Sequence, residues 1–555
     1  MPALPALARQ LAVIDADLAA GRLDRARSYL QALREVPGPA LGLLRRTLAG
    51  LDFAAAGRVA EADAAFDEAA ASALPFPGVQ LVAGRHWLAR GRTAAALGCL
   101  GRAALCGRPP PPMLVGAAPE SAPPELVRAL VGSGKRPNLA FAGLLKRRLC
   151  ATLGMAEAAG AYAALFEADG LPEIVQAPLA SLRDHARGAG AYHEHTAAAP
   201  LQLPMSRLVG AAPAPPFAAH GRTLFGAGLD DVIVASRSRL LQTGGRVLHD
   251  HQDGELAGLS PDLGCDGQGF ALDGAGRMTL IRFGKPAVEL DEAVSLLGPS
   301  SRDYGHWIGE FLPRLFLLDA LGLAASATLL VDSGMPASHR QALAWFDRHR
   351  RPVIEIADGA SARLRRLWVA STPSYAPYMP MPGATFDNAW LGGQTNAVAA
   401  LLATQRQPEP RPGDPKRLFL ARGPAMRRKL TNQDEIEALC VARGFIVIRP
   451  ETLAFEDQLR LLRHATHVVG PAGSALLACF LFGGPGQQVL NLHPPALEET
   501  PSLTSLAEAR GVSVLVLLGQ VERAHHWRPG DSDFSIDLQA VQGVLDGWSL
   551  TTAFG

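Results

Sequence analysis

Within Tyr304–Leu315 (Tyr-Gly-His-Trp-Ile-Gly-Glu-Phe-Leu-Pro-Arg-Leu) the chain sets a base, an acid and a cation at equal intervals. Read as a helix, His306, Glu310 and Arg314 stand at i, i+4 and i+8 on one stripe, and Trp307, Phe311, Leu315 and Leu318 form an apolar stripe beside it. This pattern holds an imidazole at the rim of a core with a carboxylate in reach to orient it, the arrangement of a general base. The plainer reading is a helix with a solvated polar side, supported locally by i,i+4 pairs. The chemical reading is the expectation carried forward, with Trp307 and Arg314 as residues that face an acceptor or support the helix.

A second cluster suits an anion. Arg422-Gly-Pro-Ala-Met-Arg427-Arg428-Lys429 puts four cations in eight residues just after a predicted strand. Guanidinium forks match phosphate oxygens two at a time, so Arg422, Arg427 and Arg428 suit a diphosphate. Asn432 and Glu435 follow at N-cap to N3 spacing, which predicts a capping box at the next helix and places both beside the same anion. Further on, Val468-Val-Gly-Pro-Ala-Gly-Ser-Ala-Leu476 reads as a strand turning into a helix. There the backbone at Gly470 and Gly473, with the Ser474 hydroxyl, can approach a phosphate or ribose at the positive end of a helix.

Metal sites are not expected. His185, His193 and His195 lack a supporting cysteine or a second His pair. Asp15/Asp17 falls in a helical repeat and Asp531/Asp533 in a polar turn, so neither reads as a metal-binding pair.

Three kinds of element must position these groups. Residues 1–195 are Ala-rich and predicted helical, with a repeat that aligns on Gly21, Gly57 and Gly91 at spacings of 36 and 34. A small-residue turn between two amphipathic helices at this period resembles the tetratricopeptide repeat, whose units bury their apolar faces on one another. Residues 196–217 are Pro/Ala-rich without periodicity and read as a linker. From 218 to 387, short strands, a Gly244-Gly245 hairpin, the His306 helix and then alternating strands and helices predict an open α/β sheet. From 388 to 555, after the Pro-rich segment 408–415, strand and helix alternate more regularly. Two such halves predict a cleft, with ligands at the carboxyl ends of the strands.

Composition bounds the rest. The chain has 555 residues, 48% of them hydrophobic, enough for several buried cores. Its formal charge is +1, from 53 basic and 52 acidic residues, so no global field argues for nucleic acid. Five lysines among those basic residues fit a G+C-rich bacterial genome. Six cysteines without a C-x-x-C pair read as reduced core thiols. The absence of a leader pattern or bilayer-length apolar run leaves the cytoplasm as the expected compartment, with peripheral membrane attachment open.

The order H-W-x-x-E-x-L-P-R-L, then an Arg-rich loop with N-x-x-E, then G-P-x-G-S-A-L before F-x-x-P-G and a final strand, resembles glycosyltransferase family 61 over roughly residues 230–546. The resemblance implies a GT-B architecture, two Rossmann-like domains spanning 218–387 (acceptor side) and 388–555 (nucleotide-sugar side), preceded by the all-α repeat domain. It implies inverting transfer of a sugar from a nucleotide donor to a hydroxyl of a surface polysaccharide, lipid-linked or protein acceptor, without a metal or other cofactor. It makes His306 and Glu310 the catalytic candidates. Arg422, Arg427, Arg428, Asn432, Glu435, Gly470, Gly473, Ser474 and Asn491 become the donor-binding ones. Ala472, Cys479, Asn491 and Gln433 depart from the family pattern, which has His, Asn, Glu and Glu there. The rival expectation is a non-catalytic scaffold, its repeats holding a protein partner or a second copy of the chain beside a degenerate transferase domain.

Overall fold

The computed structural model describes residues 4–19, 21–36, 38–71, 76–90, 92, 95–96, 99, 159, 173–252, 266, 268–272, 275–282, 286–373, 395–423, 428–495, 501–523 and 532–552. The chain divides into two compact units. One holds residues 1–176, 263–265 and 269–284; the other holds 177–262, 266–268 and 285–555.

The first unit begins with five helices, Leu4–Ala19, Leu23–Ala32, Pro39–Ala55, Val59–Ala71 and Pro77–Ala89. Their facing sides bury Ile14, Leu18, Leu30, Leu44, Phe66, Val79 and Trp87 in one core. The repeat is visible in the backbone. Arg22 N–H donates to Asp17 O at 2.9 Å, Arg58 N–H to Phe53 O at 2.8 Å and Arg92 N–H to Trp87 O at 2.9 Å, one turn closure used three times. Gly21 and Gly57 sit in that turn at φ +70°, a left-handed conformation that glycine adopts without penalty. The side chain five residues before each arginine changes chemistry but keeps the contact. It is the Asp17 carboxylate for Arg22 at 2.7 Å, and the rings of Phe53 and Trp87 for Arg58 and Arg92, 4.4 and 4.2 Å from the guanidinium carbon. Asp15 links the first helix to the fifth, accepting from the N–H groups of Gly78 and Val79 at 2.8 Å each.

The second unit is mixed α/β, with two large sheets and two two-stranded ones among the described residues. The larger places Val353–Ile356, Thr328–Asp332, Val288–Ser295, Ser361–Ala370, Leu224–Ala235, Leu241–Thr243 and Arg246–His249 side by side. The predicted hairpin is present, with Gly244 and Gly245 both at positive φ between antiparallel strands. The segment 196–217 is not structureless. Pro200–Leu203 pairs antiparallel with Phe217–His220, and Arg207–Leu208 adds an edge to the second sheet. Its prolines hid these strands because they interrupt alternation without preventing edge pairing.

That second sheet is all parallel, in the order Ile446–Ile448, Arg417–Leu420, His467–Pro471, Gln488–His493, Ser513–Leu518, Arg207–Leu208. The strand order reverses between Arg417–Leu420 and His467–Pro471, so their following loops diverge and leave a crevice at the carboxyl edge. Helices Gln433–Val441, Phe455–His464, Ser474–Phe482 and Pro501–Ala509 make the crossovers. The two sheets share a core in which Trp307, Phe311, Leu315 and Phe346 pack with Leu420, Phe455, Leu476 and Phe482. A helix at Thr395–Ala403 precedes the Pro-rich segment 408–415. Among the described residues no helix is long and apolar enough to cross a membrane.

Candidate functional site

The segment 304–320 is helical but not uniformly so. Tyr304–His306 is α, Trp307–Phe311 is a π-turn and Leu312–Ala320 is α again. Pro313 explains the wide turn, because it lacks the N–H that would bond to the Gly309 carbonyl and its ring crowds that oxygen. The turn keeps His306 and Glu310 together: His306 Nδ1 lies 2.6 Å from a Glu310 carboxylate oxygen. It also breaks the expected three-residue stripe. Arg314 makes no ion pair with Glu310 and instead donates to the Thr372 hydroxyl from Nε and a terminal nitrogen, at 3.2 and 2.9 Å.

Glu310 is pinned from its other side by Arg239, which forms an ion pair with its second oxygen. Arg239 stands in the loop before the strand Leu241–Thr243, and its guanidinium lies 5.1 Å from the Phe311 ring centre. Asp332 gathers the surrounding loops. Its buried carboxylate accepts from the N–H of Arg237 at 2.6 Å, the N–H of Gly298 at 3.1 Å and the Ser301 hydroxyl at 2.6 Å. The loop carrying Arg239 and the entry to the His306 helix are thereby tied to one strand end.

These contacts set the proton affinities. Burial alone drives the Glu310 carboxyl up, but the Arg239 and His306 charges overcome it and hold it down at about 2. Burial likewise pulls the His306 imidazole down, and the Glu310 charge with its hydrogen bond reverses this and raises it above its ordinary value. The pair is an ionised carboxylate and a basic imidazole. With Nδ1–H directed at Glu310, Nε2 carries the lone pair that can take a proton.

Trp307 is fully buried, donates to the His339 carbonyl at 3.2 Å and stacks on that imidazole at 5.7 Å, so it anchors the helix from inside the core. Gly305 faces the second sheet. A Cβ there would stand 3.0 Å from Ser474 Oγ, and the Tyr304 hydroxyl donates to Gln458 at 3.2 Å.

The turn that meets Gly305 is the one at the carboxyl edge of the parallel sheet. Ser474 is exposed at the start of its helix, and Gly470 is buried in the strand end. Gly473 has no room for a side chain, because a Cβ would collide with the Arg422 guanidinium. Arg422 donates to the Arg428 carbonyl at 3.0 Å, and Arg428 to the Ala472 carbonyl at 3.4 Å. Arg428 holds φ +61°, an unusual conformation for a side chain of this size. Arg427 lies outside the described residues.

The expected capping box does not form. Asn432 occupies the N-cap position, but its side chain makes no cap hydrogen bond. Its amide instead donates to the Ile536 carbonyl at 2.8 Å and accepts from the Ile536 N–H at 3.1 Å, a contact 104 residues away. Glu435 is exposed on the helix. The loop is held by Gln433, which accepts from Arg422 N–H at 3.0 Å and donates to its carbonyl at 3.2 Å.

Asn491 lies in the neighbouring strand Gln488–His493 with its carboxamide oxygen buried and unbonded among the described residues. Two positions on, burial drives the His493 imidazole down to about 4, and its Nδ1–H donates to the Pro494 carbonyl at 2.9 Å. His493 was not singled out from the sequence; its signal is the alternation that puts it on the same strand face as Asn491. Arg239 and Thr372 were missed too, and no spacing rule connects them to His306.

Among the described residues no group of three or more His, Cys, Asp or Glu side chains is placed to hold a metal ion. His193 and His195 are exposed on the strand Tyr192–Thr196, and Asp17 pairs with Arg22 and Arg25. No curated protein matches the chain. Residues 304–490, which run from the start of the His306 helix to the strand that carries Asn491, match the model of the family Glycosyltransferase 61, and this match supports a glycosyltransferase function.

Proposed function

We propose that the chain is an inverting, nucleotide-sugar-dependent glycosyltransferase of GT-B type. What carries the reading is the buried relay His306–Glu310–Arg239, tied through Gly305 to the glycine turn beside Arg422. His306 Nε2 takes the proton of an acceptor hydroxyl as that oxygen attacks the anomeric carbon. The bond from that carbon to the departing diphosphate breaks with its electron pair on phosphate, so one displacement inverts the centre. Glu310 orients the imidazole and stabilises it once protonated. Arg422, Arg427 and Arg428 neutralise the charge that develops on the diphosphate, a role that needs no metal ion. Gly470, Gly473 and Ser474 receive the nucleotide through backbone and hydroxyl, and Asn491 and His493 line the same edge.

The strand order of the second sheet favours nucleotide binding there, because ligands of open α/β sheets gather where the order reverses. The N-terminal helices serve as a tetratricopeptide-like platform for a protein, lipid-linked or polysaccharide acceptor, and the reaction runs on the cytoplasmic side. Calorimetry with a panel of nucleotide sugars, with and without chelator, tests this. Saturable binding that survives chelation and is lost in Arg422→Ala is the expected result. No binding by any member overturns the transferase reading in favour of a helical-repeat scaffold.

A further inference from the structure

The carboxyl end of the strand Gln488–His493 carries two polar side chains, Asn491 and His493, and alternation along the strand sets their face. Val489 packs with Leu476, Cys479 and Val516 on the side of the Ser474 helix, whereas Leu490 and Leu492 pack with Phe419 on the opposite side. Asn491 and His493 therefore continue the Val489 face, the one on which the glycine turn enters its helix. In register with Asn491 on the strand His467–Pro471 stands Gly470, which puts no side chain beside it.

Both residues are 8% exposed. His493 Nδ1 lies 2.9 Å from the Pro494 carbonyl, which only accepts, so the proton sits on Nδ1 and Nε2 keeps a lone pair. Among the described residues Nε2 has no hydrogen-bond partner, and neither end of the Asn491 carboxamide has one. Burial, with the Arg428 charge added to it, brings the imidazole down to about 4 against the pull of the Pro494 bond, so the ring is neutral at pH 7. A buried polar group left without a partner is costly, and here two stand together at the edge that the proposed nucleotide occupies.

His493 Nε2 needs a hydrogen-bond donor, which an ionised diphosphate is not: its oxygens would meet the imidazole lone pair with lone pairs of their own. The groups joined directly to the diphosphate of a nucleotide sugar are two sugar rings, the ribose on one side and the transferred sugar on the other. We propose, resting on the glycosyltransferase reading, that His493 Nε2 accepts a hydrogen bond from a hydroxyl of one of these rings, while the Asn491 carboxamide bonds the same hydroxyl or its neighbour. Residues i and i+2 of a strand stand about 7 Å apart on one face, so their side chains can converge on a vicinal diol. Such a pair selects hydroxyl-bearing ligands over their deoxy forms.

Calorimetry on the full chain tests this with UDP, ADP and GDP, each against its 2′,3′-dideoxy form, and with UDP-glucose, ADP-glucose and GDP-mannose. His493→Phe keeps a ring and loses the lone pair, His493→Gln returns an acceptor near the Nε2 position, and thermal unfolding verifies that both fold. If the hydroxyl is on ribose, the wild-type chain binds the ribo form about tenfold tighter than the dideoxy form. His493→Phe then brings the ribo form down to the dideoxy level and leaves the dideoxy form unchanged, and His493→Gln restores part of the gap. If the hydroxyl is on the transferred sugar, His493→Phe weakens the nucleotide sugar by a similar factor and leaves UDP, ADP and GDP unchanged. Asn491→Leu, of nearly the same shape without hydrogen bonds, narrows the same gap and carries the test should His493→Phe not fold. No change with any probe, or an equal loss across all of them including the dideoxy forms, overturns the proposal and leaves the nucleotide site standing. No binding by any nucleotide overturns the glycosyltransferase reading and the proposal with it.

Discussion

Gly305 and Ser474 touch across the two sheets of the second unit: a Cβ on Gly305 would stand 3.0 Å from the Ser474 hydroxyl oxygen. The residue that follows Gly305 is the proposed base, and Ser474 opens the helix at the proposed nucleotide edge. The missing side chain at 305 lets the helix that carries the proposed base close on the turn that opens the proposed nucleotide edge.

His306→Ala should lower turnover by about a hundredfold or more while leaving nucleotide affinity almost unchanged, since the imidazole acts on the acceptor. Steady-state kinetics beside calorimetric nucleotide binding checks this. Wild-type turnover in the variant would remove His306 from the chemistry.

The pH profile follows from the sign of the His306 shift. Its imidazole is raised, so the base is lost as pH falls through a value above that of an ordinary histidine. Glu310→Gln removes the charge that raises it, and burial then pulls the imidazole down. The acidic limb of kcat should move to lower pH while the maximum falls. A limb that stays in place, or moves to higher pH, would show that another group titrates.

Gly473→Ala places a methyl against the Arg422 guanidinium. Nucleotide-sugar affinity should fall about tenfold as Arg422 is displaced, with little effect on the strand His467–Pro471 behind it. Calorimetry together with thermal unfolding separates the two effects. Unchanged affinity would mean that Arg422 does not contact the donor.

In the first unit, burial raises the Asp15 carboxyl to about 6, against the pull of the Gly78 and Val79 N–H bonds. A raised carboxyl favours the protonated fold, so this contribution is complete below pH about 4 and is lost as pH rises through about 6, a difference of roughly 3 kcal/mol. Hydrogen exchange in the helix Pro77–Ala89, corrected for its intrinsic pH dependence, should therefore show weaker protection at pH 7 than at pH 4.5. Stronger protection at pH 7 would mean that the ionised carboxylate stabilises this contact.

Much of this architecture was legible because it is periodic. Glycines at spacings of 36 and 34 announced the helical repeat, and alternating apolar runs announced the parallel sheet. His306 and Glu310 were legible as partners because one helical turn joins them. Arg239 was not, since it reaches Glu310 from a loop 71 residues earlier. The Asn432 spacing misled for a related reason: a local cap lost to a backbone partner 104 residues away. Local pattern records which groups a helix presents, whereas their partners are chosen by tertiary packing.

The wide turn at Trp307–Phe311 also gives this helix one residue to spare, because it holds a residue more than an α turn does. Deleting one residue between His306 and Glu310 would therefore restore a regular spiral and leave its two ends close to their present places, with Leu312–Ala320 fixed in the core. What would change is the spacing that brings the imidazole to the carboxylate. A chain shortened there should keep its fold and give up the reaction first.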